Sequence, residues 1–159
     1  MIRFNKHNLY FGVFISMSKI MKTIWLFFIP ILSFGQSEDP LQPYIWKNRV
    51  LVVFANSDKN PDYQRQMRLI SKVKAGFAER HLIVFSVFEN DGLSPDYQTL
   101  DAQTCKKLHE KFKVDKDKFT IVLIGKDGGE KYRKNAILTN EELFAVIDAM
   151  PMRRAEMKY

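Results

Sequence analysis

Val50-Leu51-Val52-Val53-Phe54-Ala55 and, further on, Leu82-Ile83-Val84-Phe85-Ser86-Val87-Phe88 are the stretches that decide the fold. Each is an unbroken β-branched and aromatic run, the pattern of a strand buried on both faces. Between them, Asn56 to Asn60 is turn chemistry, with Asn60 placed to cap a helix and Pro61 to stand at its first position. Tyr63, Met67, Ile70, Val73 and Phe77 then recur at helical spacing, which predicts one amphipathic helix with Arg65, Arg68, Lys72 and Lys74 off its apolar stripe. Strand, helix and strand in this order form a right-handed βαβ unit, so the two strands should be parallel neighbours.

Working outward, Glu89 to Thr99 reads as loop, marked by Asp91-Gly92 and Ser94-Pro95. Cys105, Leu108 and Phe112 share one face of a second helix over about Asp101 to Phe112. A third buried strand, Phe119-Thr120-Ile121-Val122-Leu123-Ile124, runs into Gly125-Lys126-Asp127-Gly128-Gly129. The Asp-Gly pair predicts a hairpin and a fourth, antiparallel strand from about Lys131 to Ala136. Thr139 and Glu142 form a capping box for the last helix, stapled by Leu138 and Leu143, with Leu143, Ile147 and Met150 facing the core. Pro151 ends that helix near Met150 and leaves Met152-Arg153-Arg154 as a distinct C-terminal segment. The expected architecture is α/β, a mixed four-stranded sheet in the order β-α-β-α-β-β-α with helices on both faces.

The chain of 159 residues is 46% apolar and 13% aromatic, enough for one core in a single domain. Its net charge of +7 is misleading, because Arg3, Lys6, Lys19 and Lys22 fall in the first 36 residues, which hold no acidic residue. Without them, 21 basic residues stand against 18 acidic ones, a mildly basic surface of net +3 that gives no support to nucleic-acid binding. Lys19 and Lys22 precede the apolar run Ile24 to Leu32, which ends in Ser33-Phe34-Gly35-Gln36. These are the three regions of a signal peptide over residues 1–36, cleaved near Gly35 or Gln36, with Met17 and Met21 as alternative starts. The apolar run is shorter than the roughly 20 residues of a membrane span and contains Pro30, so no membrane attachment is expected after cleavage. The competing reading is an uncleaved N-terminal anchor. Residues 37–43 read as a polar linker and residues 44–159 as the domain, exported to a periplasm or secreted. Cys105 is the single cysteine, so an exported domain of this kind rests on its core without an internal disulfide.

The predicted element order is that of the thioredoxin core. From Leu41 to Met157 the chain resembles a bacterial family, domain of unknown function 4174. The resemblance is carried by Trp46-Lys47-Asn48-Arg49-Val50-Leu51-Val52-Val53-Phe54-Ala55, Glu79-Arg80, Leu123-Ile124-Gly125-Lys126-Asp127-Gly128-Gly129 and Ile147-Asp148-Ala149-Met150-Pro151-Met152-Arg153-Arg154. It implies a thioredoxin-like, distantly peroxiredoxin-like fold, shared with domains of animal extracellular-matrix proteins that carry sushi repeats, and it implies no settled activity. Thioredoxins place two cysteines after the first strand, where a helix N-terminus stabilises a thiolate. In this chain Asp58 and Pro61 stand in those two slots, and the first turn of the same helix has no peroxiredoxin-type cysteine. Lys118-Phe119-Thr120 also replaces the cis-proline that thioredoxins carry before the third strand. Cys105, on the apolar stripe of the second helix, reads as packing.

His7, His81 and His109 form no ligand pattern, so neither a metal nor a cofactor is expected, and no catalytic triad or P-loop can be assembled. Asp58 has two readings, a general acid or base beside a helix N-terminus or a cap for its free amides. Following strand directions gathers Arg49, Arg80, Lys126, Arg133, Arg153 and Arg154 at one pole opposite the thioredoxin active end, with Trp46 beside them and Asp127, Glu79 and Asp148 as partners. This pole is either an ion-pair network that fastens the C-terminal segment or a binding site for a phosphate, carboxylate or acidic glycan. The function expected is a binding or interaction module without a thiol redox site, with an anionic small molecule, an acidic glycan or an envelope protein as partner. The alternative is an exported oxidoreductase or other enzyme derived from a peroxiredoxin-like ancestor, with Asp58 or the basic pole as its site.

Overall fold

A computed structural model describes residues 39–158. The signal peptide expected over residues 1–36, with its alternative starts and cleavage site, and the first residues of the expected linker lie outside the described residues.

The central strand β1 (Arg49–Phe54) is buried at every position, as its continuous apolar run requires. It pairs in parallel with β2 (Leu82–Val87), Arg49 opposite Leu82, and antiparallel with β5 (Thr120–Ile124), Val50 opposite Ile124. Beyond β5 the hairpin turn at Gly128, whose φ of 78° suits glycine, leads into β6 (Glu130–Lys134). Thus the parallel βαβ unit and the returning hairpin fold as the sequence predicts.

The sheet has six strands where the sequence predicts four, because β3 (Gly92–Leu93) and β4 (Thr99–Leu100) form within the stretch read as loop. Their order is β4-β3-β2-β1-β5-β6. Strands of two residues carry no alternation to detect. Gly92 permits the close approach, since a Cβ there would lie 2.4 Å from the Ser86 carbonyl oxygen.

The helix predicted from Tyr63 to Phe77 is two helices, α1 (Pro61–Ser71) and α2 (Lys74–Glu79). The chain leaves helical geometry at Val73, with φ −127° and ψ 34°. Gly76 then meets the ring of Phe144, which a Cβ would approach to 2.7 Å, while Phe77 stays in the core. On the other face lies α3 (Ala102–Phe112), capped by Asp101 through a 2.7 Å bond from the Thr104 amide. Thr139 caps α4 (Asn140–Asp148) as predicted, although the Glu142 carboxylate turns away to Tyr132 and Lys134. The C-terminal segment is itself helical, α5 (Pro151–Glu156), with proline at its first position.

The sheet divides the core into two layers. Leu51, Val53, Ile121 and Leu123 pack under α1, α2 and α4 with Ile70, Phe77, Leu143 and Ile147. Val50, Val52, Phe54, Phe85 and Val122 pack under α3 with Cys105, Leu108 and Phe112, joined by Leu41 and Tyr44 from the entering chain. Each large side chain fully buried in this way contributes about 1.5–3 kcal/mol.

Candidate functional site

At the C-terminal end of β1, where thioredoxins carry their cysteines, the chain turns into α1 through Asn60. The Asn60 side-chain oxygen accepts from the amides of Asp62 at 2.9 Å and Tyr63 at 3.1 Å, and its amide group donates to Asn56 at 3.0 Å. Asn60 therefore satisfies the free helix amides that Asp58 was a candidate to cap. Asp58 is exposed, and its carbonyl oxygen accepts from the Gln64 side chain at 3.4 Å. Pro61 has no amide hydrogen to offer a bound anion. Among the described residues no peptide bond is cis.

Cys105 does not reach this end of the sheet as a reactive group. It is fully buried on α3, and burial, with weaker contributions from Asp91 and Asp101, pushes its thiol up to about 11 despite a hydrogen bond from the Phe88 backbone. At neutral pH only about one thiol in ten thousand would be ionised, which leaves it a poor nucleophile.

The opposite pole holds a dense ion-pair cluster. Arg49, 1% exposed although charged, donates to both Glu156 oxygens at 3.1 and 3.3 Å and to the Arg80 carbonyl at 2.8 Å. Arg80 grips Asp148 through two bonds, at 3.0 and 2.6 Å, and stacks over Phe144 at 4.2 Å. Arg153 bonds Asp148 at 3.1 Å, the Glu79 carbonyl at 3.1 Å and the Glu79 carboxylate. Lys126 completes it, 2.7 Å from Glu156 and 3.0 Å from the His81 ring. Trp46 sits beside it, largely exposed, its amide donating to the Lys126 carbonyl at 2.5 Å. Burial opposes ionisation of Asp148, but bonds from Arg80 and Arg153 outweigh it and hold the carboxyl below the usual aspartate range. Glu156 is held low in the same way, burial being overcome by Lys126 and Arg49.

Four of the six predicted basic residues, Arg49, Arg80, Lys126 and Arg153, thus come together. Arg133 does not join them: its guanidinium bonds Glu130 and the Phe112 carbonyl at the end of α3. Arg154 is exposed on α5. Of the acidic partners, Glu79 and Asp148 are in the cluster, whereas Asp127 pairs with Lys131 at 2.6 Å. Glu156, which joins Arg49 to Lys126, was missed; the signal for it was the proline at the first position of a short helix, placing Glu156 one turn after Arg153.

The model of the family described as domain of unknown function 4174 matches residues 40–156. The chain belongs to that family. This chain is 23% identical over 136 residues to coiled-coil domain-containing protein 80 of Danio rerio, covering 76% of this chain and 16% of that protein. It is 25% identical over 123 residues to the human sushi repeat-containing protein SRPX, covering 74% of this chain and 26% of that protein. The chain thus spans about a quarter or less of the length of these relatives. Among solved structures, the reduced 2-Cys peroxiredoxin of Plasmodium vivax superposes with a TM-score of 0.56 at 21% identity, covering 75% of this chain and 85% of that one. Thioredoxin peroxidase I of Plasmodium yoelii superposes with a TM-score of 0.53 at 19% identity, covering 75% of this chain and 80% of that one. At these identities the likeness establishes the fold alone, a thioredoxin-like domain with a single cysteine.

Proposed function

We propose that this family member is exported and serves as a binding module, a thioredoxin-like scaffold without thiol chemistry. The observation that carries the reading is the position of the one cysteine: Cys105 is sealed in the core, while Asp58 and Pro61 occupy the redox end. Export rests on the charged, apolar and small-residue order of residues 19–36. Relatives named for sushi repeats carry a matching stretch as one part of a longer chain, which suits a module that contributes recognition to an assembly.

The basic pole acts as a clasp that holds α5 against the starts of β1 and β2. Its guanidinium groups already face carboxylates, so an incoming phosphate or acidic glycan would have to displace Glu156 or Asp148. If Arg153→Ala with Arg154→Ala lowers the melting temperature while sulfate, phosphate and acidic polysaccharides leave the wild type unshifted, the clasp stands.

Peroxide-consumption and insulin-reduction assays test the module reading itself. No turnover is expected from the wild type or from Cys105→Ala. Turnover lost in Cys105→Ala would make the domain an oxidoreductase; turnover retained would point to thiol-independent chemistry.

A further inference from the structure

One side of β2 is only half covered. β3 pairs with Ser86 and Val87 and ends there. The Arg49 amide donates to the His81 carbonyl and the Ala55 amide to the Val87 carbonyl, so odd-numbered residues of β2 turn their peptide groups toward β1. Even-numbered residues turn theirs outward. Ser86 meets β3, while the peptide groups of Leu82 and Val84 face out beyond its end, and no strand among the described residues pairs with them there. Such an open edge offers a row of backbone donors and acceptors to another extended chain.

Beside this edge runs a groove of about 250 Å³, lined by Met67, Ile70, Val84, Leu93, Pro95 and Tyr97. It continues past Met67, Ile70 and Tyr97 into a hollow of about 420 Å³ that reaches Lys74 and Phe77. Tyr97 stands over both, 80% exposed, at a φ of 60°. The neighbouring surface of α1 and the start of α2 is cationic. Arg65, Arg68, Lys72 and Lys74 are exposed and enter no ion pair among the described residues, unlike the arginines of the clasp. The acidic groups on the same elements are Asp62 on α1, Asp96 beside Tyr97, and Glu79 at the far end of α2, where it is paired with Arg80 and Arg153.

We propose that the open edge of β2 receives an extended acidic segment of a partner protein as an added strand. Its backbone bonds the outward groups of Leu82 and Val84, apolar side chains on one face enter the groove against Met67, Ile70 and Tyr97, and its carboxylates meet Arg68 and Lys74. Backbone pairing selects an extended chain, and the unpaired cations select acidic over basic sequence. This proposal rests on the domain being a binding module.

The probes are two short synthetic peptides, one alternating glutamate with valine and one alternating lysine with valine, added to the isotope-labelled protein and followed by amide chemical shifts and hydrogen exchange. The glutamate peptide should shift and protect the Leu82 and Val84 amides, and the lysine peptide should not. Val84→Pro, which removes an outward donor and none facing β1, should weaken binding by roughly tenfold. Arg68→Glu with Lys74→Glu should do the same and turn the preference toward the lysine peptide. Equal binding of both peptides, binding of neither, protection on another face, or unchanged affinity in folded Val84→Pro would overturn the site. If Val84→Pro does not fold, the charge reversal and the amide protection decide. A failure here leaves the module reading standing, since that reading fails only through redox or other turnover.

Discussion

Glu156→Gln tests the clasp at its most buried charge. Arg49 lies 1% exposed between β1 and α5, and once Glu156 loses its charge the guanidinium keeps only neutral acceptors, the Arg80 carbonyl and the glutamine amide oxygen. Removing one partner of a fully buried pair costs about 3–5 kcal/mol. The Glu156 side chain is 24% exposed, so water screens part of the loss, and the expected cost is roughly 2 kcal/mol. In a domain of this size that corresponds to a melting temperature lower by roughly 8 °C. Urea unfolding followed by circular dichroism gives the free energy, and the same signal on heating gives the midpoint. Arg49→Met should destabilise the domain as well, and the double variant should lose less than the two singles together by about 1 kcal/mol, because the second substitution removes a charge the first left unpaired. A Glu156→Gln protein within about 0.5 kcal/mol of wild type, or strictly additive losses, would refute the clasp.

Two further outcomes follow from the same geometry. Asp148 and Glu156 both ionise more readily in the folded state, so their stabilisation is complete above the unfolded carboxyl range and is lost as pH falls below about 4.5; the melting temperature should drop by several degrees between pH 5 and pH 3, with a shallower slope in Glu156→Gln, and a flat profile would count against the network. Gly92→Ala should cost about 1–3 kcal/mol and release β3 from β2, because its Cβ would meet the Ser86 carbonyl at 2.4 Å; unchanged amide protection at Leu93 would show the strand adapts.

The central strands were legible because a strand buried on both faces writes itself as a continuous apolar run, as Val50 to Phe54 and Thr120 to Ile124 do. The caps at Asn60 and Thr139 were legible because their chemistry is local. What escaped depends on contacts far apart in the chain. The apolar stripe of Tyr63 to Phe77 is continuous through the break at Val73, and the Phe144 ring that Gly76 meets beyond the break is distant in sequence. Arg133 was assigned to the pole from strand direction, but it stands opposite Val122 in the antiparallel pair and shares that residue's face, toward α3. A register shift between Leu123 and Ile124, invisible in the sequence, lies between it and the turn. The pole itself was foreseen, but Pro151, read as a stop, hid the helix whose last residue, Glu156, closes it.

The absence of a reactive thiol is the central claim, and the modification rate of native Cys105 measures it directly. Treated with stoichiometric hydrogen peroxide or iodoacetamide at neutral pH and followed by intact mass, the native protein should stay unmodified on the timescale that consumes a free thiol, and react promptly only after unfolding. Rapid formation of a sulfenic acid or an alkylated product in the folded protein would contradict the account.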